Sequence, residues 1–186
     1  MNPYNQNDEF VKIDENYING YLTPIAMFRD FTTGEVGFNY YFKKLKSGSS
    51  ITESIFAEFR LSLKNSGRFT SDEQVEALLN KWFELEEIEN WETNLATEID
   101  FWTGKSITDT IKDENRIRAW HDKPNLLSLN LIEVLKVFFY PKTMKAYKYN
   151  GTIKNDLYYH WGGLKWLDII FSNQEETYLL HFDLSD

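Results

Sequence analysis

The stretch "KWLDIIFSNQEETYLLHFDL", Lys165 to Leu184, decides the fold. Two runs of β-branched and aromatic residues flank the polar "SNQEET". Such residues suit a pleated, half-buried surface, and the polar insert has the composition of a turn, so the spacing predicts an antiparallel hairpin. Just upstream, "KAYKYNGTIKNDLYYHW" (Lys145–Trp161) sets Asn150-Gly151 between aromatic runs. Asn-Gly suits a two-residue turn in which both residues take positive φ, so a second hairpin is expected there. The C-terminal third therefore reads as β-rich.

Working back from it, "SLNLIEVLKVFFYP" (Ser128–Pro141) reads as a buried helix capped by Ser128 or as a strand, with the helix preferred; Pro141 ends either. "EIDFWTGKSITDTI" (Glu98–Ile111) fits a hairpin over Thr103-Gly104 or a loop into a short helix. Ser50 and Glu53 match a capping box ahead of an apolar stripe, Ile51, Ile55, Phe59 and Leu63, so a helix starts there and ends at "NSGR". Thr70 and Glu73 repeat the box before Val75, Leu78, Leu79 and Trp82. Leu85, Ile88, Leu95 and Ile99 continue that second helix or belong to a third. In "PIAMFRDFTTGEVGFNYYF" (Pro24–Phe42), two runs of β-formers flank "TTGE", which predicts a hairpin turning at Gly34. Residues 1–20 are polar and Asn-rich, a flexible arm; 21–186 form a single domain. The expected class is α+β, with antiparallel hairpins at both ends packed against a helical middle.

Composition narrows the function. The 186 residues are 42% hydrophobic and 17% aromatic, enough for a sizeable core. There is no cysteine, so no disulfide, thiolate nucleophile or Cys-ligated zinc is expected. The N-terminal residues show no basic region followed by an apolar run, and no apolar run approaches the roughly 18 residues of a membrane span, so a cytoplasmic protein is expected.

The net charge is −9, and all of it lies in one block. Residues 71–100 hold ten acids against one base, Lys81; elsewhere nineteen acids and nineteen bases cancel. Glu73, Glu76, Asn80, Glu84 and Glu87 would share one helix face. "ELEEIENWE" would stack like charges without a compensating Lys, a repulsion that a basic partner would relieve. The candidate partner-binding residues are Glu84, Glu86, Glu87, Glu89, Glu92, Glu98 and Asp100, with Trp91 and Trp102 as aromatic anchors. Free nucleic acid and an anionic membrane are poor ligands for such a block; a basic protein is a good one.

Catalytic signals are weak. His160 and Gly162-Gly163 lie in "YYHWGGLKW", but no nucleophile motif accompanies them, and the glycines match neither a phosphate loop nor a dinucleotide fingerprint. Asp168 is the nearest acid downstream of His160. His121 and His181 are scattered, so three or four converging metal ligands are not expected. No metal, no cofactor and no catalytic residue is assigned. Abundant carboxylates leave open a small hydrolase or carbohydrate-active protein, and the acidic surface leaves open a nucleic-acid mimic acting on a DNA-binding protein.

In general character, a small, cysteine-free, acidic, aromatic-rich α+β chain, the sequence resembles the immunity proteins of contact-dependent growth inhibition and other polymorphic toxin systems. That resemblance implies a stoichiometric inhibitor of a cognate toxin domain, often a basic nuclease. It assigns no residue, because folds vary among such proteins.

Overall fold

The computed structural model describes residues 13–33, 37–65, 71, 73, 74, 77, 85–103, 126–149, 165–173 and 175–184. His121, His160, Gly162-Gly163, Glu84, the Asn150-Gly151 turn and most of the second expected helix lie outside them. The fold is α+β. In chain order it runs α1 (Glu15–Thr33), β1 (Phe38–Lys44), α2 (Ile51–Asn65), β2 (Leu85–Ile88), α3 (Trp91–Thr103), α4 (Leu126–Phe139), β3 (Lys145–Tyr149), β4 (Lys165–Ser172) and β5 (Thr177–Leu184).

The five described strands form one antiparallel sheet in the order β1-β5-β4-β3-β2. The hairpin expected over Lys165–Leu184 is its centre, with Ser172 opposite Thr177 and Lys165 opposite Leu184. All eight residues of β5 are buried, as a strand covered on both faces must be. One face carries Tyr40, Phe42, Ile169, Phe171, Leu180 and Phe182 and packs under α1, α3 and α4. The other face carries Ile170 and Leu179 under Ile55 and Phe56 of α2.

The N-terminal hairpin does not form. Pro24–Thr33 is helical, and β1 pairs with β5 instead. The deciding pattern starts upstream: Ile18, Leu22, Ile25, Ala26 and Arg29 are buried at helical spacing. The helix also takes in residues 15–20 of the expected arm. It starts at Asp14, whose carboxylate accepts the Tyr17 N–H at 2.9 Å. Pro24, which cannot donate to the carbonyl of Gly20 one turn back, sits with it on the exposed side of the helix.

The other helices follow their caps more closely. Ser50 Oγ accepts the Glu53 N–H at 3.1 Å, as expected of the capping residue. Ser71 Oγ accepts the Gln74 N–H at 3.3 Å, one residue on from the box proposed at Thr70. "SLNLIEVLKVFF" is helical, but Ser128 lies inside α4 rather than capping it. Its buried hydroxyl donates to Asp100 at 2.7 Å and lies 2.6 Å from the Thr103 hydroxyl, tying α4 to α3. Glu98–Thr103 is the end of α3 and not a hairpin strand; residues 104–111 lie outside the described residues.

Candidate functional site

The acidic block does not make one helical face. Leu85–Ile88 is the edge strand β2, Glu89-Asn90 is a turn, and α3 begins at Trp91. Extension relieves the crowding that a helix would impose. Successive strand side chains take opposite faces, so Glu86 points to the α3 side with Ile88, and Glu87 to the α2 side with Leu85. Asn90 makes the corner with φ 47°, a left-handed conformation that Asn tolerates better than most residues. The Asn94 side-chain amide donates to the Glu89 carbonyl at 2.6 Å and secures the corner.

The compensating lysines come from the neighbouring strand, where no local reading of the block would find them. Lys145 Nζ is 2.9 Å from Glu87 Oε2, and Lys148 Nζ is 2.7 Å from Glu98 Oε1. Glu86 stands opposite Lys148 in register. The hydrogen bond to Glu98, with help from the Glu86 charge, raises the basicity of Lys148.

The predicted site residues therefore separate. Glu86, Glu87, Glu89 and Glu92 are exposed and contiguous along β2 and the first turn of α3. Glu92 also complements the positive end of the α3 dipole. Glu98 is half-buried in its ion pair, and Asp100 is buried against Ser128. Trp91 and Trp102 are core residues, not surface anchors, with 6% and 5% of their area exposed. Trp91 packs on Phe139 and Phe171 and donates its indole N–H to the Met144 carbonyl at 3.0 Å. Trp102 stacks on Phe182 and accepts the Tyr40 hydroxyl at its own carbonyl, 2.7 Å away. In so aromatic a core, the rings fill volume that surface anchors would have left empty.

The backbone adds a second feature here. Among the described residues, β2 has one strand partner, β3. Among the described residues, no hydrogen bond reaches its outer backbone edge. On the α2 side of the sheet lies a cavity of about 1020 Å³ that Leu85 shares with Ile51 and Tyr147, its other walls being mainly polar, with Ser50, Lys142, Lys145 and Glu176 among them.

A buried polar row at the sheet centre was not anticipated. His181 Nδ1 lies 2.6 Å from Asp168 Oδ1, directly across the β4–β5 pair. Tyr41, opposite His181 on β1, stacks on the imidazole at 4.6 Å and 25°. Asp168 thus serves His181, thirteen residues on; His160 lies outside the described residues. Burial raises the Asp183 carboxyl above the usual range; the Asp168 charge adds to this and His181 opposes it. Burial also weakens the Tyr41 hydroxyl as an acid, reinforced by Asp168. Asp168 and His181 are almost fully enclosed, so the pair ties β4 to β5 and offers no access to a substrate. The signal in the sequence was the matching strand parity of Asp168 and His181 about the "SNQEET" turn. Among the described residues, no group of three or more His, Asp or Glu is placed to hold a metal ion. No described helix is long and apolar enough to cross a membrane.

No protein-family model and no curated protein sequence matches the chain. Among solved structures it is similar to citrus MAF1, at 15% identity and a TM-score of 0.42, over 89% of this chain and 99% of that one. A likeness that loose bears on neither family nor activity.

Proposed function

We propose that this chain is a stoichiometric inhibitor that binds and neutralises a basic protein, in the manner of an immunity protein against a nuclease toxin domain, and acts in the cytoplasm. The observation that carries this reading is the run of exposed carboxylates Glu86, Glu87, Glu89 and Glu92, which spans the edge strand β2, the turn beyond it and the first turn of α3. A nuclease holds the phosphate backbone with Lys and Arg, so a ridge of carboxylates competes for the same groove. Complementary charge speeds capture, which suits defence against a lethal enzyme.

Co-purification with a cationic nuclease domain, with loss of its activity at a one-to-one ratio, tests the role. Association rates then test the surface. The triple change Glu86→Lys, Glu87→Lys and Glu89→Lys is expected to slow association about tenfold or more at low salt, and added salt is expected to shrink the difference. Rates indifferent to both would reject the strip as the binding face.

A further inference from the structure

We infer that the partner binds by adding an extended basic segment to the outer edge of β2 as a sixth strand, its alternate apolar side chains lying against Leu85. The inference rests on the inhibitor reading above and adds its mode of recognition. An edge strand presents unpaired N–H and C=O groups at fixed spacing, a template for another strand. The two ends of this sheet are unequal in that respect. On β1, side chains of α1 occupy the outer backbone positions: Asn19 bonds both the N–H and the C=O of Phe42, at 2.7 and 2.8 Å. Glu15 accepts the Lys44 N–H at 3.0 Å, and Asp30 accepts that of Phe38 at 2.9 Å. Nothing among the described residues does this for Leu85–Ile88.

Charge selects the occupant. A strand lying beside β2 would place one set of alternate side chains next to Glu86 and near Glu89 and Glu92, and these should be Lys or Arg. Its other set falls on the side of Leu85, the half-buried apolar residue that β2 presents toward α2. Glu87 is engaged by Lys145 on that side, so its carboxylate is already balanced. The template is therefore a segment alternating between basic and apolar residues. A second copy of this chain is a poor occupant, since two β2 edges would bring like charges together.

The test uses the intact chain and a nine-residue peptide of alternating lysine and valine. Two further peptides carry N-methyl groups on every second residue, one in each phase. Titration followed by amide NMR is expected to shift Leu85–Ile88 with the unmodified peptide. One N-methyl phase faces β2 and is expected to weaken binding about tenfold, the worth of one or two lost hydrogen bonds; the other phase faces outward and binds as before. Equal binding by both phases, or shifts that spare Leu85–Ile88, overturns strand addition. If Glu86→Lys still abolishes that phase-independent binding, the charged-surface reading survives alone. If neither peptide phase nor Glu86→Lys affects binding, both readings fail. Dimerisation through Leu85–Ile88 without peptide would make a second copy the occupant and likewise overturn the proposal.

Discussion

The two edges of the sheet receive opposite treatment. At β1 the chain covers its own backbone: Glu15, Asn19 and Asp30 reach down from α1 and bond the strand's outer amides. At β2 the strand is only four residues long and carries exposed glutamates. Shortness and charge are the usual means of keeping an open edge from aggregating. One edge is closed by polar side chains of a packed helix; at the other, no hydrogen bond from the described residues reaches the outer backbone, and the exposed side chains are charged. The difference shows where the fold leaves capacity for recognition, and each side of it can be broken separately.

The largest effect is expected at Trp91, which anchors the β2 corner from inside. Trp91→Ala removes a ring enclosed by Phe139 and Phe171 and orphans the Met144 carbonyl. A loss of about 3–5 kcal/mol is expected in urea unfolding. A variant with unchanged stability would show that the ring does not hold the corner. Next is Asn19→Leu, which uncovers the Phe42 N–H and C=O on the closed edge. With two backbone groups left unpaired, about 2–3 kcal/mol is expected to be lost. Sedimentation should also reveal new self-association, because β1 would then resemble β2 without its charge. A monomeric variant of unchanged stability would mean that α1 does not close this edge through Asn19.

A smaller effect lies at Glu176, which Lys44 and Lys142 clamp from two sides next to the β4–β5 turn. Those two hydrogen bonds lower its carboxyl from 4.5 to about 2. The folded state therefore holds this proton more weakly than the unfolded chain does. The resulting stability is complete above the ordinary value and is lost as pH falls toward about 2. Glu176→Gln is expected to cost about 1 kcal/mol or less at neutral pH, since both lysines are well exposed. Its deficit against the parent should close between pH 4.5 and about 2 in denaturant titrations. A deficit that grows on acidification would contradict the clamp.

These expectations show what local sequence carries. The hairpin over Lys165–Leu184, the Ser50 cap and the helical character of Ser128–Phe139 are set by neighbours a few residues away and are legible, though the helix start at Leu126 is not. α1 is hard to read locally because Ile25 and Phe28 have β propensity, while the Ile18-to-Arg29 spacing that overrides it begins inside the polar, Asn-rich N-terminal segment. β2 was misread because Lys145 and Lys148, which stabilise its charges, lie on a strand 60 residues along the chain, and pairing at that distance leaves no local trace. For the site, the block's acidity was visible, but which acids stay exposed depends on where Trp91 and Trp102 turn. Aromatic composition alone does not say whether a ring faces the core or a partner.

The smallest effect on stability, and the most telling one for function, is expected from Glu86→Lys. Glu86 is exposed on β2 and stands opposite Lys148, which is already held by Glu98. Placing a second ammonium across from Lys148 adds a like-charge pair, which at a surface amounts to a few tenths of a kcal/mol. Unfolding in urea should therefore barely move. Binding of a basic segment should respond much more, because the substitution reverses the charge nearest the open edge while leaving the backbone template intact. The two measurements together separate the edges: Asn19→Leu should damage the fold and add association, whereas Glu86→Lys should spare the fold and remove association with a cationic partner. If Glu86→Lys unfolds the chain as Asn19→Leu does, the β2 edge is structural like β1, and the asymmetry between the two edges disappears.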